Sequence, residues 1–353
     1  MQTQTLIIGG GLSGLALAAR LAAEGRDFRL VEARDRWGGR ILTERFGEGA
    51  FDLGPSWFWP GQPRMAALTE RLGLTRFDQF YEGDLLYEDE TGHVQRGQGF
   101  ASMQGSWRLR GGMGSLIDAL VRDIPEDQRL SATPIRALHR TADGVTARTD
   151  FGQEINAQQV VLTVPLRIAA RLSYVPALPN DTIATMESIP TWMAGQAKAV
   201  AVYDRPFWRD AGLSGDAMSR FGPMVECHDA SPMRGGPYAI FGFIGVPPAG
   251  RRDRHALDRQ LRAQLSRLFG PEAQAPKSLF VKDWAADPCT ATDLDHRPVH
   301  AHPDYGLPHV LSRLWDNALI LSGTEVAPTF GGFLEGALEA ADCGYDALQR
   351  NGD

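Results

Sequence analysis

Three glycines and one carboxylate near the start of the chain have a spacing that suits phosphate and ribose binding. Gly9, Gly11 and Gly14 make a G-x-G-x-x-G turn, and Glu32 follows eighteen residues after Gly14. Glycines in such a turn let backbone N–H groups approach a pyrophosphate closely. The carboxylate is placed to accept hydrogen bonds from a ribose 2′-hydroxyl, whereas it would repel a 2′-phosphate. The spacing predicts a dinucleotide site that disfavours NADP.

The neighbouring residues predict the elements that hold this turn. Residues 5–8 form a short apolar run typical of a buried strand, residues 12–23 an alanine-rich helix, and residues 28–31 a second strand. Glycine-rich turns also occur as plain loops, so the motif alone is weak. Strand, turn, helix, strand and acid within about 30 residues favour a dinucleotide-binding unit.

A second glycine pair follows directly after Glu32. The run from Glu32 to Ile41 contains Gly38, Gly39 and Arg40, and it resembles the second glycine motif of the flavin amine oxidase superfamily, which includes monoamine and polyamine oxidases. This resemblance implies that the cofactor is FAD. It also implies that the two glycines let the backbone approach the cofactor and that Arg40 lies along its pyrophosphate or ribityl chain.

Residues 321–341 resemble the C-terminal signature of the same superfamily over their whole length. In that signature, Gly323 and Thr324 end a strand beside the pyrophosphate, and a helix opening near Gly332 points its positive end at the flavin pyrimidine ring. Backbone N–H groups near Phe333 and Leu334 would favour reduction of the flavin, because reduced flavin carries negative charge at N1 and C2=O of this ring. A plain C-terminal helix packed through an apolar face is compatible with this interpretation.

Lys198 is the most informative single side chain. Two-residue alternation in residues 196–202 puts Lys198 on the same face of a strand as Val200 and Val202, and the residues on either side of it are alanines. A lysine rarely enters such a strand without a purpose. The segment resembles the superfamily strand whose lysine holds a water near flavin N5, so Lys198 would assist electron transfer to oxygen. The alternative is an edge-strand lysine whose amine reaches solvent.

The resemblance extends to residues spread along the whole chain. It implies a catalytic group of Lys198, Phe333 and Trp284 and a substrate pocket of Trp57, Trp59, Phe241, Phe243, Leu294 and Phe333. Core packing explains Trp284, Phe241 and Phe243 equally well. The implied cofactor-binding residues are Gly9, Gly11, Leu12, Ser13, Gly14, Glu32, Ala33, Arg34, Gly38, Gly39, Arg40, Gly54, Pro55, Ser56, Trp57, Pro134, Ile135, Thr163, Trp284, Gly323, Thr324, Glu325, Gly332, Phe333 and Leu334.

Two positions depart from the superfamily pattern. Monoamine oxidases attach their flavin through a cysteine, but Asp293 stands at that position and Cys289 is four positions early. FAD is therefore predicted to bind non-covalently. Two tyrosines that sandwich the amine in the superfamily correspond here to Leu294 and Phe333. One aromatic ring of this cage is missing and the other has lost its hydroxyl, which puts an ordinary monoamine substrate in doubt.

The elements around these motifs predict an α/β architecture with two domains, since 353 residues exceed what one core usually supports. A discontinuous Rossmann-type FAD-binding domain is expected over residues 1–61, 108–166 and 307–353. An inserted α+β substrate-binding domain, mostly an antiparallel sheet with helices, is expected over 62–107 and 167–306. Within it, leucines on one helical face predict an amphipathic helix over residues 251–268.

Composition excludes several other functions. A formal charge of −7 argues against nucleic acid or an anionic membrane as the main partner. Cys227, Cys289 and Cys343 are odd in number and far apart, so a disulfide framework is not expected and a reducing compartment is the simplest interpretation. With no secretory signal pattern and no run of 18 apolar residues, we expect a cytoplasmic enzyme that does not span a membrane.

A cluster of His296, His300 and His302 lies in a charged, proline-rich stretch, which favours a solvated loop over a metal site. We therefore expect no metal. An arginine that could hold an amino acid carboxylate is missing from residues 54–57, although Arg64 lies close by in sequence.

The resulting hypothesis is an FAD-dependent amine oxidase that uses a small-molecule substrate and O2. A hydride would pass from the amine α-carbon to flavin N5, the imine would leave and hydrolyse, and O2 would reoxidise the flavin to give H2O2. An alternative is an FAD-dependent dehydrogenase or desaturase of C–C bonds, like carotenoid desaturases or protoporphyrinogen oxidases. A flavoprotein scaffold without turnover is a third possibility. The oligomeric state is left open.

Overall fold

The computed structural model describes residues 1–297, 299 and 301–350, and two large sheets organise it. In chain order its strands are β1 Gln2–Ile8, β2 Phe28–Val31, β3 Thr43–Phe46, β4 Gly49–Asp52, β5 Arg76–Asp78, β6 Asp84–Glu88, β7 Val94–Arg96, β8 Trp107–Leu109, β9 Arg129–Leu130, β10 Ile135–Thr141, β11 Gly144–Thr149, β12 Glu154–Leu162, β13 Ser173–Val175, β14 Ala197–Tyr203, β15 Leu213–Ser219, β16 Met224–Asp229, β17 Tyr238–Ile244, β18 Ser278–Asp283 and β19 Leu319–Leu321. Its α-helices are α1 Leu12–Ala23, α2 Pro63–Arg71, α3 Gly114–Arg122, α4 Leu166–Ala169, α5 Asn180–Ser188, α6 Phe207–Asp210, α7 Arg254–Phe269 and α8 Leu334–Arg350.

The first sheet has the strand order β13-β10-β11-β12-β1-β2-β9, with β19 beside β12. Strand β1 pairs in parallel with β2 on one side and with β12 on the other. Strand β19 continues this parallel region next to the carboxyl end of β12. The predicted Rossmann-type arrangement is therefore confirmed, and α1 and β2 have the bounds that their apolar patterns predicted.

Helices cover both faces of this sheet, as its continuous apolar strands require. One face packs against α1, α3 and α8 through a core that contains Ile7, Leu15, Leu116 and Leu338. The opposite face packs on a second cluster that includes residues from α4 and α5. This double burial fixes the carboxyl ends of β1, β2, β12 and β19 at one edge, where ligands bind in such sheets.

The second sheet has the order β18-β14-β17-β16-β15-β6-β7 and is antiparallel except between β15 and β6. Helix α7 packs against it through Leu257, Leu261, Leu265 and Leu268, which are all buried as the pattern predicted. Each such leucine contributes roughly 1.5–3 kcal/mol through its burial. The sheet is therefore held from one side by α7, while its other face packs against Phe51, Leu53 and Trp57 and contributes Lys198 and Phe243 to a cavity.

Two segments pack differently from the expected domain limits. Strand β13 pairs with β10 in the first sheet, and Ile183 and Met186 of α5 pack in the core of that sheet. Met65 of α2 belongs to the core around α1. We therefore propose that the nucleotide-binding domain also includes α2 and the chain from residue 167 to the end of α5.

Candidate active site

A cavity of about 290 Å³ lies between the two sheets. We call the part around Gly9, Gly11, Glu32 and Arg34 the nucleotide end. The opposite part, around Lys198 and the aromatic side chains described below, is called the reactive end. Residues from both sheets and from α8 line this cavity, so neither sheet alone builds it.

The β1–α1 turn builds the nucleotide end from bare backbone. Gly9 has φ +116°, a conformation that favours glycine, and it begins the turn. A side chain at Gly14 would lie 2.0 Å from the Gly9 carbonyl oxygen, so only glycine allows the helix this close to the strand. At Gly11, in contrast, an added Cβ would meet none of the described atoms within 4 Å and would project into open space.

The amino end of α1 is available to an anion. In the described chain no side chain caps this helix, and its first turn contains no acidic residue. Its first N–H groups and the helix dipole therefore favour a negatively charged ligand such as a pyrophosphate. The open space at Gly11 and this uncapped amino end together fit the pyrophosphate of a dinucleotide.

Glu32 is held at the end of β2 by backbone donors. The Gly10 N–H donates to its Oε2 at 2.7 Å, and the Arg34 N–H donates to its Oε1 at 2.9 Å. The carboxylate is 3% exposed and still lines the cavity. Because a carboxylate has about four acceptor positions, Glu32 can also accept a ribose hydroxyl.

A loop that follows β18 closes the nucleotide end from the second sheet. Asp287 accepts hydrogen bonds from Arg34 at 2.6 Å and from Lys282 at 2.7 Å. Arg34 also donates to Thr290 at 2.9 Å. These charge-assisted bonds lower the pKa of Asp287 against the opposing effect of burial. Sequence reasoning did not single out Asp287, because its partner lies far away in the chain.

Arg40 forms an ion pair with Glu325, with 2.7 Å between Nη1 and Oε1. Glu325 is fully buried, and neither carboxylate oxygen has a well-directed hydrogen bond from the described protein. Nearby, Thr324 Oγ1 accepts from the Gly332 N–H and donates to the Phe333 carbonyl. Arg40 itself lines the cavity, and its five N–H donors can serve a cofactor oxygen as well as Glu325. The residues therefore fit FAD.

Lys198 lies on an interior strand of the second sheet, because β14 pairs with β17 on one side and with β18 on the other. The side chain is only 6% exposed, so the edge-strand alternative is excluded. Its Nζ donates to the Gly54 carbonyl and lies 4.8 Å from the ring centroids of both Phe241 and Phe243. Burial lowers the pKa of Lys198 to about 7, against the opposing attraction of Asp52.

Asp52 is the charge partner of this lysine. It is buried at the end of β4 and accepts hydrogen bonds from Thr43 Oγ1 and, at 2.9 Å, from the Met113 N–H. Burial raises the pKa of Asp52 to about 6, while the bond from Thr43 lowers it. Burial thus disfavours both charges, and their mutual attraction stabilises them.

Aromatic side chains form the walls of the reactive end. Trp57 donates its Nε1–H to Gln79 at 2.8 Å and packs edge-on against Phe241. Trp284 donates its Nε1–H to the Leu53 carbonyl at 2.8 Å, next to the carbonyl that accepts from Lys198. These bonds satisfy the indole N–H groups and fix the ring planes. The cavity at this end is therefore rigid and apolar.

Most of the predicted site residues lie around this one cavity. Those that line it are Gly9, Gly11, Leu12, Ser13, Glu32, Arg34, Gly38, Gly39, Arg40, Gly54, Pro55, Ser56, Trp57, Trp59, Thr163, Lys198, Phe243, Trp284, Thr324, Gly332, Phe333 and Leu334. The roles of these residues stay predictions.

Eight predicted residues do not line the cavity: Gly14, Ala33, Pro134, Ile135, Phe241, Leu294, Gly323 and Glu325. Phe241 is 2% exposed and lies behind Trp57 and Lys198. Leu294 corrects the expectation of a substrate-facing side chain, because it sits in a short 3₁₀ helix with 43% exposure. Glu325 acts only through Arg40, as described above. The Arg64 alternative also fails, since Arg64 pairs with Glu335 and Asp342.

Sequence reasoning missed five residues that line the reactive end: Gln62, Met103, Trp192, Met193 and Gln196. Trp192 is the most consequential, because it lines the same cavity as Phe333, whereas Leu294 does not. Its ring centroid is 4.9 Å from that of His302, and His302 stacks on Phe333 at 4.9 Å and 14°. Only the folded chain brings Trp192 here, although a tryptophan two residues after Pro190 was a visible signal.

Two members of the histidine cluster, His296 and His302, lie within the described residues. Among the described residues no group of three potential ligands is close enough to hold a metal ion, and His300 lies outside the described residues. His302 is used in ring stacking, as described above. In the described part of the chain, no helix combines the length and apolarity needed to cross a bilayer.

Comparison with known proteins decides the family. A model of flavin containing amine oxidoreductases matches residues 78–342, and a model of NAD(P)-binding Rossmann-like domains matches residues 7–72. The chain belongs to the flavin-containing amine oxidoreductase family. It is therefore a flavoprotein oxidoreductase with FAD as its cofactor, as the glycine motifs predicted.

Relatives of this family have low identity but match over most of their length. The "Probable flavin-containing monoamine oxidase A" of Dictyostelium discoideum is 23% identical, and the match covers 95% of each chain. Putrescine oxidase of Kocuria rosea is 23% identical over 82% of this chain and 84% of its own. The solved structure of cyclohexylamine oxidase from Brevibacterium oxydans aligns with a TM-score of 0.82, 19% identity and 99% coverage of both chains. These structural likenesses show the shared fold.

Proposed function

We propose that this protein is an FAD-dependent oxidase of amines, with FAD bound non-covalently along the cavity. One observation carries the proposal: a continuous cavity joins an uncapped dinucleotide-type turn to an aromatic chamber that contains a buried lysine. The proposal is supported by relatives named as monoamine and putrescine oxidases. It also agrees with the absence of a Ser/His/Asp or Cys/His arrangement from the described lining of the cavity.

When bound, FAD supplies the acceptor for a hydride from the amine α-carbon, and O2 regenerates it with release of H2O2. The protein's own contribution is to position the amine and to shield it from water. The walls of Trp57, Phe243 and Phe333 exclude water and hold the amine in its neutral form. The Lys198 ammonium provides positive charge where oxygen gains electrons. The imine product leaves the cavity and hydrolyses in water.

Non-covalent binding is supported by the place of the cysteines. Cys289 lines the cavity beside Arg34 and Thr290, at the nucleotide end. Asp293, at the position of the flavin-linked cysteine, has a side chain that is 96% exposed. Neither residue offers a thiol at the reactive end.

The test begins with the absorption spectrum of the purified protein and with acid precipitation. We expect a yellow protein whose FAD is released entirely into the acid supernatant. Amines are then added anaerobically, and bleaching of the oxidised flavin band is followed by admission of air and measurement of H2O2. Bound FAD that no amine bleaches, although dithionite does, would refute amine oxidation. Turnover on an apolar alkene with an artificial electron acceptor would instead support C–C dehydrogenation.

A further inference from the structure

The reactive end has an unusual balance of charge. Among its described lining residues, Lys198 is the sole ionisable side chain, and the others are aromatic, thioether or amide groups: Trp57, Trp59, Gln62, Met103, Trp192, Met193, Gln196, Phe243, Trp284 and Phe333. The cavity's other charged residues, Glu32, Arg34 and Arg40, all have charged protein partners. An incoming substrate therefore finds no carboxylate at the reactive end.

This balance disfavours a second positive charge on the substrate. A monoamine can enter as the neutral amine and carry no charge into the chamber. A diamine would also bring an ammonium, whose removal from water costs several kcal/mol when no counter-ion is present. The Lys198 ammonium would also repel the ammonium of a diamine, because both charges are positive. Cation–π attraction to the lining rings is weaker than this cost, and Lys198 already lies over one of those rings, Phe243.

The walls favour an apolar substituent instead. Trp192 and Phe333 both line the cavity, and His302 contacts the rings of both. Tyr305 packs edge-on against His302 and donates its hydroxyl to the Pro190 carbonyl at 2.8 Å, which ties this loop to the segment that carries Trp192. The two rings are thus held in place before substrate arrives. Trp192 and Phe333 therefore give the cavity two aromatic walls, although Leu294 supplies none.

We infer that the substrate carries one amino group on an apolar alkyl, cycloalkyl or aryl substituent, and that Trp192 is a specificity-determining residue for it. This inference rests on the proposed amine oxidation. It separates the protein from the putrescine oxidase that it resembles, whose named substrate is a diamine.

The experiment compares pentylamine with putrescine, which match in length and differ in a terminal methyl in place of an ammonium. Anaerobic stopped-flow measures the rate of flavin reduction against concentration for each, with cyclohexylamine, benzylamine, spermidine and phenylalanine as further probes. We expect the second-order rate constant for pentylamine to exceed that for putrescine at least ~100-fold, equivalent to about 2.8 kcal/mol. Equal or faster reduction by putrescine, spermidine or phenylalanine overturns the inference. Reduction by none of the amines, with normal reduction by dithionite, overturns the proposed function as well.

Two variants test the structural cause. Gln62→Glu adds a carboxylate to the lining with little change of shape, and we expect it to raise the putrescine-to-pentylamine ratio at least ~10-fold. Gln95→Glu, on the exposed strand β7, is the matched control and leaves the ratio unchanged. An unchanged ratio in a Gln62→Glu variant that retains FAD contradicts the charge argument.

Trp192→Ala tests the wall. We expect the apparent Kd for pentylamine and cyclohexylamine to rise about 10-fold through lost apolar contact, with a smaller change in the limiting rate of reduction. FAD content and dithionite reduction stay normal. Trp315→Ala, which removes an aromatic packed against Tyr174 outside the cavity lining, is the control. If the Kd values for both amines are unchanged in Trp192→Ala, Trp192 does not determine substrate specificity.

Discussion

The two ends of the cavity are built from different materials. The nucleotide end consists of main-chain N–H groups, glycines and paired charges, in which Glu32 and Arg34 are bonded to protein partners. The reactive end consists of aromatic side chains and a lysine whose amine is held by a carbonyl and ring faces. A constant ligand, the cofactor, can be bound by backbone geometry. A variable ligand, the substrate, is selected by side chains that change without disturbing the fold.

The largest expected effect comes from placing one side chain against the backbone N–H groups that we propose bind the pyrophosphate of FAD. Gly11→Val should fold, because an added Cβ meets no described atom within 4 Å, but it projects into the cavity. Loss of two charge-assisted hydrogen bonds to a pyrophosphate would weaken FAD binding at least ~100-fold. Titration of apoprotein with FAD, followed by flavin fluorescence, measures this. Gly61→Val, at an exposed glycine with equally open surroundings, is the control. FAD affinity equal to that of the wild type would place the pyrophosphate elsewhere.

The second prediction concerns the one charge of the reactive end. In Lys198→Met we expect photoreduced enzyme to react with O2 about 100-fold more slowly, because a positive charge is lost where oxygen gains electrons. Rapid mixing with aerated buffer measures this rate without any substrate. Lys277→Met changes an exposed lysine and serves as the control. An unchanged rate in Lys198→Met would separate this lysine from oxygen chemistry.

The pH dependence of the same rate gives the sign of the effect. The pKa of Lys198 is lowered to about 7 by burial, so the ammonium predominates below this pH and the neutral amine above it. If the ammonium is the active form, the rate of reaction with O2 falls as pH rises through about 7. The Lys198→Met variant should show a flat profile over the same range.

The smallest expected effect concerns the ion pair by which Asp287, in the loop after β18, holds Arg34 at the nucleotide end. Asp287→Asn keeps the shape but removes the charge that holds Arg34 and Lys282. Arg34 then loses its orientation at the nucleotide end, and we expect the Kd for FAD to rise about 10-fold. Asp293→Asn, at an exposed carboxylate of the same loop, should leave the Kd unchanged. Calorimetric titration of both apoproteins distinguishes these outcomes, and equal Kd values would limit Asp287 to a structural role.

The predictions from sequence succeeded where local pattern decides structure. Alternation in residues 196–202 predicted a buried strand, and β14 is a buried strand that pairs with a neighbour on each side. Leucine spacing predicted the buried face of α7. The domain limits stay a prediction, because β13 pairs with β10 and Met65 of α2 packs in the core around α1 through contacts with distant residues that no local period reveals.

The substrate side of the site was only partly predictable. Alignment by position assigned Leu294 to the substrate pocket, but the chain places it in an exposed 3₁₀ turn and brings Trp192 to the cavity instead. Asp52 and Asp287 were also missed as charge partners. Their partners, Lys198 and Arg34, are more than a hundred residues away in the chain.

The sequence by itself determined the cofactor class and the Rossmann-type unit, since glycine spacing and one acidic strand end act within a single βαβ unit and need no distant partner. It also determined that a lysine would be buried. Only the tertiary structure decided the charge and shape of the reactive end, because Trp57, Trp192, Phe243 and Phe333 come from four separate segments. Their meeting depends on how the two sheets pack against each other, and side-chain packing across sheets has no period in the sequence.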